Sequence, residues 1–212
     1  MSYPLPEDLE QEPEVAAQLF GDRIELARSF ADDLARHGEP LGLLGPLEYP
    51  RLWTRHIINS VLAAPLLRGR VADIGSGAGL PGIPLAIARP DVEFVLVEPM
   101  ERRVEWLQRS MDRLELENVR VERARAEELH DVLTVDQVTA RAVSALSKLI
   151  PLVVPLLVHG GELVLLKGKS AEAEIEAARK VIRKHGLVDV RVEELGVDLD
   201  TESTRVVRAT AE

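Results

Sequence analysis

The feature that most constrains the fold is a glycine-rich segment between an apolar run and a helical pattern. Residues 73–84 read DIGSGAGLPGIP and begin within an apolar run that starts at Arg70. Glycines allow a sharp turn, and they let a ligand approach backbone N–H groups because no Cβ stands in the way. Pro81 and Pro84 are tolerated in the first turn of a helix, where N–H groups lack intrahelical partners. The segment predicts a strand–loop–helix unit whose loop binds a ligand.

Seven apolar runs typical of β-strands follow one another along the chain, and helical patterns separate most of them. The runs are 70–74, 93–98, 119–122, 137–141, 162–167, 188–193 and 204–209. The clearest helical patterns, Glu101–Glu115 and Ala171–His185, repeat apolar residues every three or four positions. This alternation predicts a doubly wound α/β fold with a mainly parallel, seven-stranded sheet. The last two runs have no long helix between them, so they could form an antiparallel pair at one edge.

The chain before the first strand has a different character. Residues 1–13 contain three prolines and several acidic residues, which predicts a disordered acidic tail because such a segment cannot form a core. Residues 14–67 carry apolar stripes at helical spacing in two stretches, about 14–37 and 52–67. We therefore predict an N-terminal helical cap over 14–67 and a ligand-binding core over 68–212.

Two classes of cofactor are compatible with the glycine loop. Residues 77–82 match the G-x-G-x-x-G fingerprint of dinucleotide-binding proteins. Asp73 followed by G-x-G-x-G from Gly75 is instead the pattern of S-adenosylmethionine (SAM) enzymes. An acid there would bind the methionine ammonium of SAM and would repel a pyrophosphate. Glu98 ends the second strand and could accept both ribose hydroxyls in either class. The pattern favours SAM, and an NAD-dependent oxidoreductase is the alternative.

The local pattern nominates particular cofactor-binding residues. From the loop and the two strand ends these are Asp73, Gly75, Ser76, Gly77, Gly79 and Glu98. Ala126 and Glu127 follow the third strand, at the edge that meets the adenine in SAM folds. The same AEEL sequence is equally typical of a plain helix start.

The residues that are missing restrict the methyl acceptor. The chain has no cysteine, which excludes disulfides, thiolate metal sites and the cysteine nucleophile used for C5 methylation of pyrimidines. Methylation of exocyclic amines usually needs an Asn/Asp-Pro-Pro-aromatic box after the fourth strand, where this chain has ARAVS at 140–144. N7 of guanine has a free in-plane lone pair and needs no general base. Positioning and charge stabilisation would then suffice, and we expect no metal.

Cationic residues near predicted strand ends suit an anionic RNA backbone. Arg141 follows the fourth strand, Lys167 and Lys169 follow the fifth, and Arg55-His56 lies in the second helical stretch. Arginine offers a bidentate fork and lysine a point charge. Each could also be a solvated surface charge. The net charge of −10 does not exclude RNA, because ten acidic and only three basic side chains fall within residues 1–45.

The motifs resemble those of the bacterial 16S rRNA small-subunit methyltransferase G family, also called glucose-inhibited division protein B. The matching segments, within about residues 41–210, are Arg55-His56-x-x-Asn59-Ser60, the loop ending Gly-Leu-Pro-Gly-Ile-Pro-Leu85, Arg141-Ala142, Leu166-Lys167-Gly168 and Thr204-Arg205-Val-Val. Asn59 departs from the pattern, because many members have Asp there. The resemblance implies a class I SAM-dependent methyltransferase fold with an N-terminal helical extension. It also implies methyl transfer to guanine N7 of 16S rRNA without a covalent intermediate.

The resemblance implies individual roles as well. The implied SAM contacts are Gly75, Leu80, Ala126, Glu127 and Arg141. The implied RNA-binding residues are Arg55, His56, Lys167 and Arg205, which Lys169 joins by its position. Arg141, Lys167 and His56 form the expected catalytic set. The expected partner is 16S rRNA in the small ribosomal subunit, bound by a monomer.

No run of apolar residues reaches the roughly 18 that a membrane-spanning helix needs. The acidic, proline-containing N-terminus is also unlike a signal peptide. We therefore expect a cytoplasmic protein without a membrane partner. A SAM methyltransferase for a small molecule and a SAM-fold binding module without catalysis remain alternatives.

Overall fold

The computed structural model describes residues 3–212, and a seven-stranded sheet lies at its centre. The strands are β1 Arg70–Ile74, β2 Glu93–Val97, β3 Val119–Glu122, β4 Val135–Arg141, β5 Leu157–Lys167, β6 Leu187–Leu195 and β7 Thr204–Ala211. Their order is β3-β2-β1-β4-β5-β7-β6. The first five are parallel, and β7 runs antiparallel to both neighbours. The predicted sheet and its antiparallel edge pair are confirmed.

Within residues 3–212, seven α-helices surround this sheet. They are α1 Val15–Phe20, α2 Ile24–His37, α3 Asn59–Val61, α4 Gly82–Ala88, α5 Glu101–Arg113, α6 Leu146–Val153 and α7 Ala171–Lys184. Short 3-10 turns occur at Gly21–Arg23, Pro46–Arg51, Ala64–Leu66, Ala126–Leu129 and Val154–Leu156. Within this described range, no helix is both long enough and apolar enough to cross a membrane.

The two predicted helices of the N-terminal extension are less regular than the sequence pattern indicates. The first is divided at Gly21, whose φ of 52° lies outside the helical region. The second begins as a π-helix over Leu52–Ile58, continues as α3 and ends in the turn at Ala64–Leu66. Pro65 lies in that turn, and proline cannot donate the hydrogen bond that would continue a helix.

Alternate strand residues point to opposite faces of the sheet, as the pleat requires. Val71, Phe94 and Leu96 pack on the face that carries the N-terminal extension. Ala72 and Val95 pack on the opposite face, in the same core as residues of α6 and α7. Because both faces are covered, the central strands are apolar at nearly every position.

Residues 3–13 are not a free tail, contrary to the sequence prediction. The Glu10 carboxylate accepts a hydrogen bond from the Thr54 N–H at 3.0 Å. The Glu12 carboxylate accepts two from the Arg28 guanidinium, at 2.6 and 2.8 Å. Leu9 packs against the core. The acidic residues of this segment therefore hold it against the extension, while residues 1 and 2 lie outside the described residues.

The N-terminal extension and the sheet share one apolar core. Phe30 and Leu34 of α2 belong to the same buried cluster as Ile83 and Trp106. A buried side chain also joins the two parts, because the Gln137 carboxamide accepts from the Arg68 N–H at 2.7 Å and donates to the Leu66 carbonyl at 3.0 Å. The extension is therefore expected to unfold together with the sheet.

Replacing Leu34 with alanine tests that expectation. Leu34 is fully buried, so Leu34→Ala should lower the free energy of unfolding by about 2–5 kcal/mol through lost burial and a cavity. Urea unfolding followed by both fluorescence and circular dichroism should still show one shared transition. Two separate transitions would show that the extension is an independent unit.

Candidate functional site

Asp73 lies at the carboxyl end of β1, where it is fully buried. The Gly82 N–H, at the start of α4, donates a hydrogen bond to Asp73 Oδ2 at 3.1 Å. A Cβ on Gly82 would lie only 2.6 Å from that oxygen, so glycine is what lets α4 begin this close to β1. Asp73 Oδ1 is also buried, and no described residue forms a hydrogen bond to it.

The environment of Asp73 suits a cationic ligand group. Burial raises the pKa of Asp73 to about 7, although the Gly82 N–H and the charge of Arg141 act in the opposite direction. A buried carboxylate oxygen without a partner is costly, and an ammonium group supplies both the missing donor and the opposite charge. SAM carries such an ammonium on its methionine part. The residues present therefore fit SAM, whereas a pyrophosphate would be repelled.

Glu98 lies beside the glycine loop, directly after β2. Its buried carboxylate accepts hydrogen bonds from the N–H groups of Gly77 and Met100, each at 3.0 Å. Because a carboxylate offers about four acceptor positions, Glu98 can still accept from ribose hydroxyls. The loop itself is held against β2, since the N–H groups of Gly75 and Ser76 both donate to the Val97 carbonyl.

The remaining predicted cofactor residues lie along the same edge. Ser76 Oγ donates to the Asp73 carbonyl at 2.9 Å, and the Gly79 N–H donates to the Ser76 carbonyl at 2.7 Å. Leu80 is buried beyond them. After β3, the turn Ala126–Leu129 contains a buried Ala126 and an exposed Glu127.

Across residues 3–212, no three His, Asp or Glu side chains are grouped to hold a metal ion.

A cleft of about 1040 Å³ opens at the carboxyl ends of β4 and β5, next to the glycine loop. It contains every residue predicted to bind RNA or to be catalytic: Arg55, His56, Arg141, Lys167, Lys169 and Arg205. Four carboxylates that the sequence did not nominate also line it: Glu48, Glu174, Glu194 and Glu202. The structure thus brings together residues far apart in the chain, and it places acids among the expected cations.

Arg141 lies where the cofactor residues meet this cleft. Its Nη2 donates to His56 Nδ1 at 3.0 Å, and its Nη1 donates to the Arg55 carbonyl at 3.1 Å. Burial lowers the pKa of Arg141 to about 10, with the charge of Asp73 acting in the opposite direction. Arg141 is therefore a cation at neutral pH. The positive charge of Arg141 interacts with Asp73, and the Arg141 side chain also lines the cleft.

His56 is buried and neutral rather than a free cation. Burial and the neighbouring Arg141 charge lower the pKa of His56 to about 4, against the opposing effect of Glu48. Its Nε2 lies 2.7 Å from Glu48 Oε2. With both ring nitrogens engaged, His56 does not match the expected role of a cation that contacts RNA. Glu48 carries no sequence signal that would have identified it, because it lies outside any motif or helical repeat.

Lys167 also differs from the expected RNA-binding cation. Its ammonium group donates to the Ser144 carbonyl at 2.7 Å and to Glu174 Oε2 at 2.9 Å, and its side chain is only 9% exposed. Glu174 accepts in addition from the Leu146 N–H at 3.1 Å. Lys167 and Glu174 therefore hold the loop between β4 and α6. In that loop, the Val143 side chain packs against Gly75.

Arg55, Lys169 and Arg205 are more accessible. The side chains of Arg55 and Arg205 are 52% and 33% exposed, and Lys169 is exposed. Arg55 Nε lies 3.5 Å from Glu48, and Arg205 Nη1 lies 3.2 Å from Glu172. Surface ion pairs of this kind contribute little to stability, so these cations can exchange their carboxylate partners for another anion at small cost.

Comparison with solved structures agrees with this geometry. The chain is similar to a SAM-dependent O-methyltransferase from Thermotoga maritima, with a TM-score of 0.55 and 18% identity over 73% of this chain and 64% of that one. It is also similar to M. jannaschii TYW2 in complex with AdoMet, with a TM-score of 0.52 and 21% identity over 68% of each chain. Fold and site together define a class I SAM-dependent methyltransferase.

The sequence comparisons identify the family. Residues 23–203 match the profile of rRNA small subunit methyltransferase G. Ribosomal RNA small subunit methyltransferase G of Clavibacter michiganensis is 64% identical over 207 residues, which cover 97% of this chain and 98% of that protein. The chain belongs to the rRNA small subunit methyltransferase G family, so it is a SAM-dependent enzyme that acts on ribosomal RNA. The dehydrogenase and the non-catalytic interpretations are therefore wrong.

The buried Asp73 should make the stability of the ligand-free protein depend on pH. The folded protein keeps a proton on Asp73 up to about pH 7, whereas the unfolded chain loses it near 3.8. The folded state therefore binds more protons in this window, and stability falls as pH rises through it. At pH 8, the free energy of unfolding of Asp73→Asn should exceed that of the wild type by up to about 4 kcal/mol. At pH 4 the two free energies of unfolding should be almost equal.

Urea unfolding at pH 4, 6 and 8 without SAM measures this difference. Asp91→Asn is the matched control, because Asp91 is an exposed acid paired with Arg89 and its amide should bring no gain at pH 8. An Asp73→Asn protein less stable than the wild type at pH 8 would contradict the raised pKa.

Proposed function

We propose that this protein transfers the methyl group of SAM to N7 of a guanine in 16S rRNA. In this proposal it acts in the cytoplasm as a monomer on the small ribosomal subunit. The observation that carries the proposal is the position of Arg141. Its charge acts on Asp73, the carboxylate that fits SAM, and its side chain lines a cleft with accessible cations. A guanine bound in that cleft would lie beside the cofactor residues.

The chemistry required of the protein is limited. SAM, when bound, supplies an electrophilic methyl group on a sulfonium. Guanine N7 has a lone pair in the ring plane, so no proton has to be removed before it attacks. His56 is consistent with that, because a ring with a pKa of about 4 and both nitrogens engaged is a poor general base. Alignment of donor and acceptor is then the main contribution of the enzyme.

An acid in the cleft also supports N7 as the acceptor. Methylation at N7 leaves the purine ring with a positive charge that was not there before. Glu174 lines the cleft, and its pKa is lowered: burial opposes this, but hydrogen bonds from Lys167 and from the Leu146 N–H prevail. Glu174 is therefore anionic at neutral pH. Fixed negative charge beside the ring would stabilise the developing cation.

The accessible cations supply the contacts for RNA. Arg55, Lys169 and Arg205 border the cleft and lie where a phosphate backbone would flank an inserted guanine. Such contacts position the nucleic acid without reading its bases. A local cluster of this kind can attract RNA although the whole chain carries a net charge of −10.

Transfer of a radiolabelled methyl group to 16S rRNA, followed by strand cleavage at N7-methylguanine, tests the function. We expect one labelled guanine and cleavage at that position. Arg141→Ala should lower kcat/KM at least about 100-fold, because it removes the guanidinium N–H donors that are available to position the reacting groups. Arg179→Ala is the control, since it deletes an exposed arginine of α7 that lies outside the cleft. Uncleaved RNA, or full activity of Arg141→Ala, would contradict the proposal.

The salt dependence of RNA binding tests which of these cations contact RNA phosphates. The logarithm of the binding constant should fall linearly with the logarithm of salt concentration. Arg55→Ala and Lys169→Ala should each reduce that slope by about 0.7–0.9, the value for one phosphate contact. Binding measured between 50 and 300 mM salt, with Arg179→Ala as the reference, provides the comparison. Slopes unchanged by both substitutions would exclude these residues from the RNA contact.

A further inference from the structure

Two parts of the protein meet at Arg141. Arg141 is the last residue of β4, whereas its hydrogen-bond partners, the His56 ring and the Arg55 carbonyl, belong to the π-helix of the N-terminal extension. Glu48 lies in the preceding turn, Pro46–Arg51, and contacts the far side of the His56 ring. The orientation of the guanidinium is therefore set by the extension and not by the sheet.

The direction of each hydrogen bond in this chain of residues can be assigned. Arginine can only donate, so His56 Nδ1 must be the acceptor of the 3.0 Å bond from Arg141. In a neutral imidazole the other nitrogen then carries the proton. Nε2–H donates to Glu48 Oε2 at 2.7 Å. The opposite tautomer would direct an N–H at the N–H of Arg141 and leave the carboxylate without its donor.

We infer that Glu48 is a positioning residue for methyl transfer: by accepting from His56 Nε2–H it fixes the tautomer whose Nδ1 holds Arg141. The inference rests on the proposed function for its catalytic readout only. Two of the five guanidinium N–H groups of Arg141 are bonded to the extension. The others stay available for the groups that react in the cleft.

The surrounding charges are consistent with this role. Arg55 Nε lies 3.5 Å from Glu48 Oε2, so the same carboxylate also faces the residue whose carbonyl accepts from Arg141. Arg51, in the same turn as Glu48, is paired with Glu202 at 2.8 Å. Glu48 is thus an acid whose charge acts on both Arg55 and Arg141.

A double-mutant cycle tests whether Glu48 acts through His56. Glu48→Ala should lower kcat/KM for RNA methylation about 10- to 100-fold, since small displacements of a catalytic group are costly. Glu48→Gln should recover most of that loss, because its amide carbonyl still accepts from Nε2–H. In a His56→Ala background, Glu48→Ala should change activity less than about twofold. Glu25→Ala, which removes an exposed acid of α2 paired with Arg28, should leave activity unchanged.

The tautomer of His56 provides a readout that does not depend on activity. In ¹⁵N-histidine-labelled protein at pH 7, the signal that disappears in His56→Ala should show a protonated Nε2 and an unprotonated Nδ1. Glu48→Ala should shift that pattern towards the Nδ1–H form, and Glu48→Gln should retain the wild-type pattern. Folding of each variant is checked by its thermal unfolding midpoint.

The outcomes separate the inference from the proposed function. A wild-type ring protonated at Nδ1, or losses from Glu48→Ala and His56→Ala that multiply in the double variant, would overturn the inference. A wild-type protein that methylates no RNA yet shows the Glu48-dependent tautomer would overturn the proposed function and support the assignment of Glu48.

Discussion

The site depends on a buried carboxylate at the end of the first strand. Asp73 accepts one hydrogen bond from the start of α4 and has a second oxygen that no described residue satisfies. Keeping that group away from water raises its pKa and costs stability. The protein tolerates this cost at the edge of the sheet where parallel α/β folds bind ligands. A binding site prepared for a cation is the physical consequence.

The second part of the site does not come from the sheet. The N-terminal extension supplies Glu48, Arg55 and His56, and together these residues orient Arg141 at the end of β4. The extension shares its apolar core with the sheet, so the geometry of the cleft depends on how well these two layers pack. A substitution in that core could therefore alter the cleft without touching any residue that lines it.

Much of the architecture and of the cofactor site could be predicted from local patterns. Strand positions follow from apolar runs, and the ends of parallel strands meet at one edge, so Asp73 and Glu98 could be placed together. The roles of Lys167 and His56 could not be predicted in this way. Both look like free cations in sequence, but their partners Glu174 and Glu48 are contributed by contacts that no periodicity encodes. The prediction of a disordered acidic tail was likewise wrong, because Glu10 and Glu12 accept hydrogen bonds from Thr54 and Arg28 of the extension.

By itself, the sequence determined the succession of strands and helices along the chain, and it determined the glycine loop and the acid that precedes it. These features depend on interactions between near neighbours in the chain. Tertiary structure alone decided which charges stay free. Whether Arg141, Lys167 or His56 presents a charge to the cleft depends on carboxylates that approach from other elements. For Arg141 and His56 it also depends on burial, which lowers the pKa of each. Long-range packing sets both of these, and the linear spacing of residues carries no record of them.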